Sequence, residues 1–187
     1  MRAGSALQAI VAAGKHAPAR GAIQDIAYRA MRGLAIGDAL LHEFVRKAPP
    51  HVGNVLVCVL VLLMDEEAYA PFIVVEQAVS AISARREFSF AKGLVNAVLR
   101  NFLRERDTLI VEASKSEVAR WNYPQWWIDA VKRGQPDAWQ RILEAGNEQG
   151  PLTLRVNARH ASVDEYLERL KKNSRSKRTK QANMRCA

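Results

Sequence analysis

The sequence has 187 residues, of which 49% are hydrophobic and 25% charged, a composition typical of a globular protein with one sizeable core. Its longest apolar run covers only residues 55–64, about half the length of a membrane-spanning helix. The N-terminus lacks the apolar stretch and the small-residue cleavage site of a secretory signal. These features exclude a membrane partner and predict a cytoplasmic protein.

The net charge of +9 suggests a polyanionic partner, but most of it lies at the C-terminus. Residues 171–187 contain seven lysines and arginines and no acidic residue, which leaves +2 for residues 1–170. From residue 173 onward the chain has almost no large apolar residue, so we expect this tail to be disordered. The first 36 residues contain only one acidic side chain, Asp25, against five basic ones: Arg2, Lys15, Arg20, Arg29 and Arg32. That excess is compatible with an RNA-facing surface and equally with a solvated helix face.

Apolar residues recur at helical spacing as far as about residue 146 and predict an all-α body. We expect helices near 4–13, 20–32, 36–47, 52–64, 71–84 and 89–106. The last is the clearest, because its apolar residues follow one face of a helix while Lys92, Asn96, Arg100 and Arg104 follow another. The basic row could meet phosphates or simply be solvated. The predicted core includes Ile26, Met31, Leu34, Leu56, Leu60, Val75, Val79, Val95, Val98, Leu99 and Phe102.

The character of the chain changes after residue 112. Residues 114–117 resemble a helix start, and residues 121–127 contain four aromatic side chains. We interpret this cluster as a hydrophobic clasp rather than a base-stacking platform, because few basic residues are interleaved with it. Two short helices are expected at 124–133 and 136–146. Alternating residues 152–157 then predict a strand, and Ser162 with Glu165 has the spacing of a capping box at the start of a further helix.

Residues for catalysis or metal binding are not grouped in the sequence. His16, His42, His51 and His160 are scattered, and neither Cys58 nor Cys186 has a partner at metal-ligand spacing. The apolar surroundings of Cys58 are of the kind that raise a thiol pKa. No glycine-rich loop follows a predicted strand. We therefore expect no catalytic residue, no metal site, no disulfide and no cofactor-binding residue in this chain.

Several motifs resemble a known family. Residues 24–29 and 90–100, the latter reading FAKGLVNAVLR, are similar to the NusB-like helical domain. The segments 122–127, 144–147 and 151–157 resemble the connector of the Sun (RsmB, Fmu) family of small-subunit 16S rRNA cytosine-5 methyltransferases. A free-standing NusB antitermination factor lacks this connector.

The resemblance implies a domain order. A NusB-like RNA-binding helical domain is expected at 1–112, a helical connector at 113–150, the start of an incomplete α/β RNA-binding subdomain at 151–171 and a basic tail at 172–187. In the family, a later domain binds S-adenosylmethionine and carries the nucleophilic cysteine. Since this chain departs from the family after about residue 170, we expect a truncated product that binds small-subunit rRNA but is inactive alone. The alternatives are a stand-alone NusB-like antitermination factor and a remnant without function.

The resemblance also implies where RNA would bind. In NusB-like domains RNA binding is associated with the basic N-terminal region, which favours Arg20, Arg29 and Arg32 in this sequence. Lys92 and Arg100 are weaker candidates. Arginine suits this role because its planar fork can grip a phosphate at two points.

Deletion of residues 173–187 should leave the melting temperature unchanged and weaken non-specific RNA binding. The deletion removes five positive charges, Arg175, Lys177, Arg178, Lys180 and Arg185, so the dependence of log affinity on log salt should become shallower. Titrations of the full and shortened chains over a series of salt concentrations measure this slope. An unchanged slope would show that these charges do not contact RNA.

Overall fold

A computed structural model describes residues 19–65, 69–148, 150 and 153–174. The chain divides into two compact units, Met1–Asn147 and Glu148–Ala187. The helix predicted at 4–13 and residues 175–187 of the predicted disordered tail lie outside the described residues. The first two residues of that tail, Asn173 and Ser174, are not disordered but form the end of a helix.

Helices form the regular secondary structure of the described residues, which confirms the all-α prediction. In the first unit they are α1 (Arg20–Arg32), α2 (Leu34–Phe44), α3 (Pro50–Met64), α4 (Pro71–Ser83), a 3-10 turn (Ser89–Ala91), α5 (Lys92–Ala113), α6 (Glu117–Trp121), α7 (Gln125–Gly134) and α8 (Trp139–Asn147); the second unit has α9 (Val163–Ser174). None of these helices is both long enough and apolar enough to cross a membrane.

Helix α3 forms the centre of the bundle. Pro50 stands in its first turn, where the missing backbone N–H costs no hydrogen bond. Nine of its 15 residues are buried, because α1, α2, α4 and α5 all pack against it. A helix that is apolar on all sides needs such a position.

Two glycines bring α2 close to α3. A methyl group at Gly37 would lie 2.7 Å from a methyl group of Val61 and 3.1 Å from the carbonyl oxygen of Val57. At Gly33, between α1 and α2, it would lie 2.7 Å from Val61. The absence of a side chain at both positions therefore sets the distance between the two helices.

Most of the predicted core is confirmed. Leu56, Leu60, Val95, Val98, Leu99 and Phe102 are buried, and Ile26, Val75 and Val79 pack against them while partly exposed. The prediction is wrong for Met31 and Leu34, which are 42% and 54% exposed. Gly33 faces Val61, and a side chain one position further along a helix points about 100° away. Leu34 is thereby directed away from α3, and Met31 lies on the exposed side of the last turn of α1.

Helix α5 is longer than predicted. It continues to Ala113, but Glu105 has non-helical backbone angles (φ −120°, ψ 19°) that kink it. The kink lies one residue before the predicted end at residue 106. The amphipathic pattern thus indicated where the straight part ends, but not that the chain continues as a helix.

The second unit differs from its prediction in one respect. No strand forms over residues 153–157, although Leu154 and Val156 are partly buried and Arg155 is exposed, as the alternation predicted. A strand requires a partner for its backbone hydrogen bonds, and the described residues contain no other strand. The capping box is confirmed: the Ser162 N–H donates to Glu165 Oε2 at 2.9 Å, and the Glu165 N–H donates to Ser162 Oγ at 3.2 Å.

Replacing Leu99 with alanine should lower the free energy of unfolding by about 2–5 kcal/mol, since it removes a side chain with no exposure and leaves a cavity. Thermal and urea melts measure the loss. Leu94→Ala is a matched control on the same helix, because Leu94 is 39% exposed and should cost much less. Equal effects for the two variants would contradict the packing of α5.

Candidate nucleic-acid interface

A row of basic side chains follows the exposed side of α5. Lys92 is in the first turn, and Arg100 and Arg104 lie two and three turns further on. The opposite side of the helix is buried through Val95, Val98, Leu99 and Phe102. The buried side therefore fixes the basic row at the surface.

Asparagines hold the two guanidinium groups of this row. Arg100 Nε donates to Asn96 Oδ1 at 3.1 Å, and Arg104 Nη2 donates to Asn101 Oδ1 at 3.1 Å. An amide oxygen orients a guanidinium without cancelling its charge. Residues 88–104 contain no aspartate or glutamate. This surface, defined by Lys92, Arg100 and Arg104, is called the α5 basic row.

Arg29, the central residue of the predicted N-terminal surface, is paired with acidic residues instead. Its Nε lies 2.9 Å from Asp25 Oδ2, and its Nη1 lies 2.8 Å from Asp65 Oδ2. Tyr69 Oη donates to the same Asp25 oxygen at 2.6 Å. The sequence showed Asp25 one turn before Arg29, but Asp65 is distant along the chain. Two carboxylates leave Arg29 little net positive charge to offer an RNA phosphate.

The same cluster shifts two pKa values. Partial burial acts to raise the pKa of Asp25, but hydrogen bonds from Tyr69 and Arg29 outweigh it and lower that pKa below its ordinary value. Partial burial, and then the hydrogen bond to Asp25, raise the pKa of Tyr69 to about 12. The tyrosine therefore remains a donor and the aspartate an acceptor at neutral pH. The cluster ties α1 to the end of α3.

The other two N-terminal candidates form no salt bridge with a described residue, although the charge of Arg32 helps to lower the pKa of Asp25. Arg20 is exposed at the first residue of α1. The Arg32 guanidinium lies 6.0 Å from the centre of the Tyr28 ring. Arg32 also lines a cleft of about 240 Å³ that includes Arg29, Val61 and Asp65. This cleft is smaller than an ordinary cofactor pocket, and three of its six lining residues are charged.

Asn122 connects the α6–α8 helices to the turn between α1 and α2. Its Oδ1 accepts a hydrogen bond from the Ala35 N–H at 2.9 Å, and its Nδ2 donates to the Met31 carbonyl at 3.1 Å. It lies at the end of α6 in the left-handed conformation, with φ 58° and ψ 34°. Asparagine tolerates this conformation better than most residues. The backbone turn and the side-chain contacts thus both depend on one residue.

Asn147 continues this network from α8. It accepts a hydrogen bond from Asn122 Nδ2 at 3.2 Å and donates to the Trp121 carbonyl at 2.6 Å. Beside it, a methyl group at Gly146 would lie 2.1 Å from the Tyr123 hydroxyl. In the sequence these residues stand out only as part of a family-like motif, which assigns them no role. Polar and small residues inside an otherwise helical pattern were the signal that could have found them.

The tryptophans divide into two groups. Trp121 is buried with Ile128 and Leu143, and its ring meets that of Trp139 edge to face at 5.2 Å. The predicted hydrophobic role is confirmed for Trp121, while Trp139 lies outside the predicted cluster. Trp126 and Trp127 are 67% and 42% exposed on α7, so they are not part of the clasp.

Side chains placed to hold a metal ion or to act as a nucleophile are few in the part of the chain that the structure describes. That part contains no group of three or more His, Cys, Asp or Glu residues placed to hold a metal ion. Burial raises the pKa of the Cys58 thiol, which keeps it protonated and a weak nucleophile.

Comparison with known proteins identifies the family. The model of the RsmF/B-like methyltransferase ferredoxin-like domain matches residues 123–184. Ribosomal RNA small subunit methyltransferase B of Pseudomonas syringae is 35% identical over 156 residues, which are 81% of this chain and 34% of the relative. The protein of the same name from Escherichia coli O6:H1 is 31% identical over 150 residues, 78% of this chain and 34% of the relative. That from Cronobacter sakazakii is 40% identical over 103 residues, 55% of this chain and 24% of the relative.

These matches confirm the resemblance drawn from the motifs. The class is that of the RsmF/B-like methyltransferases. Within it, the chain belongs to the ribosomal RNA small subunit methyltransferase B family. It spans between 24% and 34% of the length of these relatives. The matched ferredoxin-like region covers residues 123–184. It begins within the segment predicted to be a helical connector. It also continues beyond residue 170, so the expectation that the chain departs from the family there is wrong.

Three substitutions at Asn122 should separate its side-chain and backbone roles. Asn122→Ala loses three hydrogen bonds and places alanine at positive φ, so it should lower the free energy of unfolding by about 2–4 kcal/mol. Asn122→Gly should cost about 1 kcal/mol less, because glycine adopts positive φ freely. Asn122→Asp should also destabilise, since a carboxylate cannot donate to Met31 or Asn147. Urea melts followed by tryptophan fluorescence give these values, and wild-type stability of the alanine variant would rule out the connecting role.

Proposed function

We propose that this chain is an RNA-binding part of an S-adenosylmethionine-dependent 16S rRNA cytosine-5 methyltransferase and contacts small-subunit rRNA through the α5 basic row. The observation that carries the proposal is the pairing of Arg100 and Arg104 with neutral amides on an exposed helix face. A guanidinium that is already oriented and whose charge is not neutralised by a carboxylate suits phosphate oxygens, because it can donate two parallel hydrogen bonds. The names of the relatives supply the class of RNA.

The N-terminal arginines contribute less in this proposal. Arg29 would have to leave two carboxylates before it could grip a phosphate, and that exchange has a free-energy cost. Arg20 and Arg32 remain secondary candidates. The family resemblance pointed first to the N-terminal region, whereas the charge balance of the described residues favours Lys92 and Arg100.

Methyl transfer is not assigned to this chain. The RNA methyltransferases that it matches are more than twice its length, since 156 residues make up 34% of one relative and 103 residues make up 24% of another. We propose that the chain binds rRNA in the cytoplasm without binding this cofactor. No contact or cluster in the described residues favours the antitermination alternative.

The proposal is tested by replacing two arginines with neutral glutamines on each of three surfaces. Arg100→Gln with Arg104→Gln should weaken binding to a labelled small-subunit rRNA fragment and lower the salt slope by about 1.4–1.8, as expected for two lost phosphate contacts. Arg29→Gln with Arg32→Gln should have a smaller effect. Arg133→Gln with Arg141→Gln removes the same charge from exposed positions on α7 and α8 and should leave the slope unchanged.

Two results would contradict the proposal. Equal weakening by all three double variants would show that only net charge matters, and an unchanged slope for the α5 variant would show that RNA binds elsewhere.

Calorimetry with S-adenosylmethionine tests the second part of the proposal, that the chain does not bind this cofactor. Saturable binding of the cofactor by the full chain would show that it has a methyl-donor site after all.

A further inference from the structure

Phe90 is exposed at the start of the α5 basic row. It lies in the 3-10 turn directly before α5, and 72% of its surface is accessible. Phe88, two residues earlier, is instead partly buried with its ring centre 5.0 Å from that of His51. The turn thus uses one phenylalanine for packing and presents the other to solvent. Nothing in the packing of the described residues accounts for an aromatic ring at this position.

The surroundings of Phe90 are open and lead to the arginines. Leu94, one helical turn further on, is 39% exposed. A methyl group at Gly93 would meet no atom within 4 Å. At 1.5 Å of rise per residue, Arg100 and Arg104 follow Phe90 at about 15 Å and about 21 Å along the helix. The Phe90 ring, the partly exposed Leu94 side chain and the two guanidinium groups therefore follow one another along one side of α5.

We propose that Phe90 stacks on an unpaired RNA base while Arg100 and Arg104 hold phosphates of the same strand, so that the α5 surface prefers single-stranded RNA. The inference rests on the proposed function and specifies the form of RNA that it takes. Bases in a duplex are stacked on one another and unavailable to a protein ring, whereas splayed bases stack readily on aromatic side chains. A ring stacks on the face that every base presents, so little sequence preference is expected.

The positive charge around Phe90 favours RNA, rather than another protein or a second copy of this chain, as the ligand of this surface. Residues 88–104 carry three basic and no acidic side chains, which complements a phosphate backbone. The exposed Trp126 and Trp127 on α7 provide the contrast. They lie in residues 117–147, which contain four acidic and four basic side chains. Two exposed tryptophans therefore lack the charge complementarity that Phe90 has.

The test measures binding of the full chain to a labelled uridine oligonucleotide and to the same strand annealed to its adenosine complement. Phe90→Ala should weaken binding to the single strand about five- to hundredfold, the effect expected from loss of one stacked base. Binding to the duplex should change less than twofold. Phe90→Trp should retain single-strand binding, and Phe90→Leu should not, which separates stacking from simple apolar contact. Phe72→Ala is the matched control, because Phe72 is 74% exposed on α4 and lies outside the row.

The outcomes distinguish this inference from the proposed function. If Arg100→Gln with Arg104→Gln weakens binding while Phe90→Ala matches wild type on both RNAs, the stacking inference is overturned and the RNA-binding proposal stands. If neither variant changes binding, both are overturned. Equal loss for Phe90→Ala and Phe72→Ala would also overturn stacking. Melting temperatures of the phenylalanine variants should equal that of wild type, because neither ring is packed.

Discussion

The position of the α6–α8 helices against the α1–α2 turn depends on a polar contact at the end of α6. Asn122 adopts positive φ and bonds through one amide to Met31 and Ala35. These are groups at a helix end and a helix start, where backbone C=O and N–H groups lack partners within the helix. Asn147 extends the network to Trp121. The α6–α8 helices are thus held to the α1–α2 turn by amide geometry, with the Trp121 cluster excluding water beside it.

The apolar packing of the bundle determines what its surface can present. Gly37 allows α2 to approach α3, and α3 in turn supplies the buried wall on which α5 packs. Once Val95, Leu99 and Phe102 are buried, helical geometry leaves Arg100 and Arg104 no direction except outward. A surface suited to phosphates therefore follows from core packing on the opposite side of the same helix.

The two groups of arginines show how neighbours change one side chain's chemistry. Arg29 lies between Asp25 and Asp65 and serves to attach α1 to the end of α3. Arg100 donates to Asn96, which orients the guanidinium and leaves its charge intact. At the surface such ion pairs contribute little stability, but they decide which cations are available to a ligand. Phe90 adds an exposed aromatic ring to the α5 surface, and a ring offers a stacking contact that charged groups alone cannot supply.

The sequence by itself determined most of the described helices, the buried side of α5 and the capping box of Ser162 and Glu165. Each of these depends on residues a few positions apart, so periodicity and spacing are sufficient to predict them. The family, too, was identified from short motifs, and the comparisons confirm it. Length and composition likewise predicted one sizeable core without a membrane-spanning helix.

Only the tertiary structure decided the rest. Asn122 meets Ala35 across 87 positions and Arg29 meets Asp65 across 36, and no local pattern encodes such pairs. The exposure of Met31 and Leu34 follows from a glycine contact with another helix, and the strand expected at 152–157 has no partner among the described residues. Whether an arginine is free or paired, and whether a ring is buried or open, depends on which distant residues the fold brings beside it.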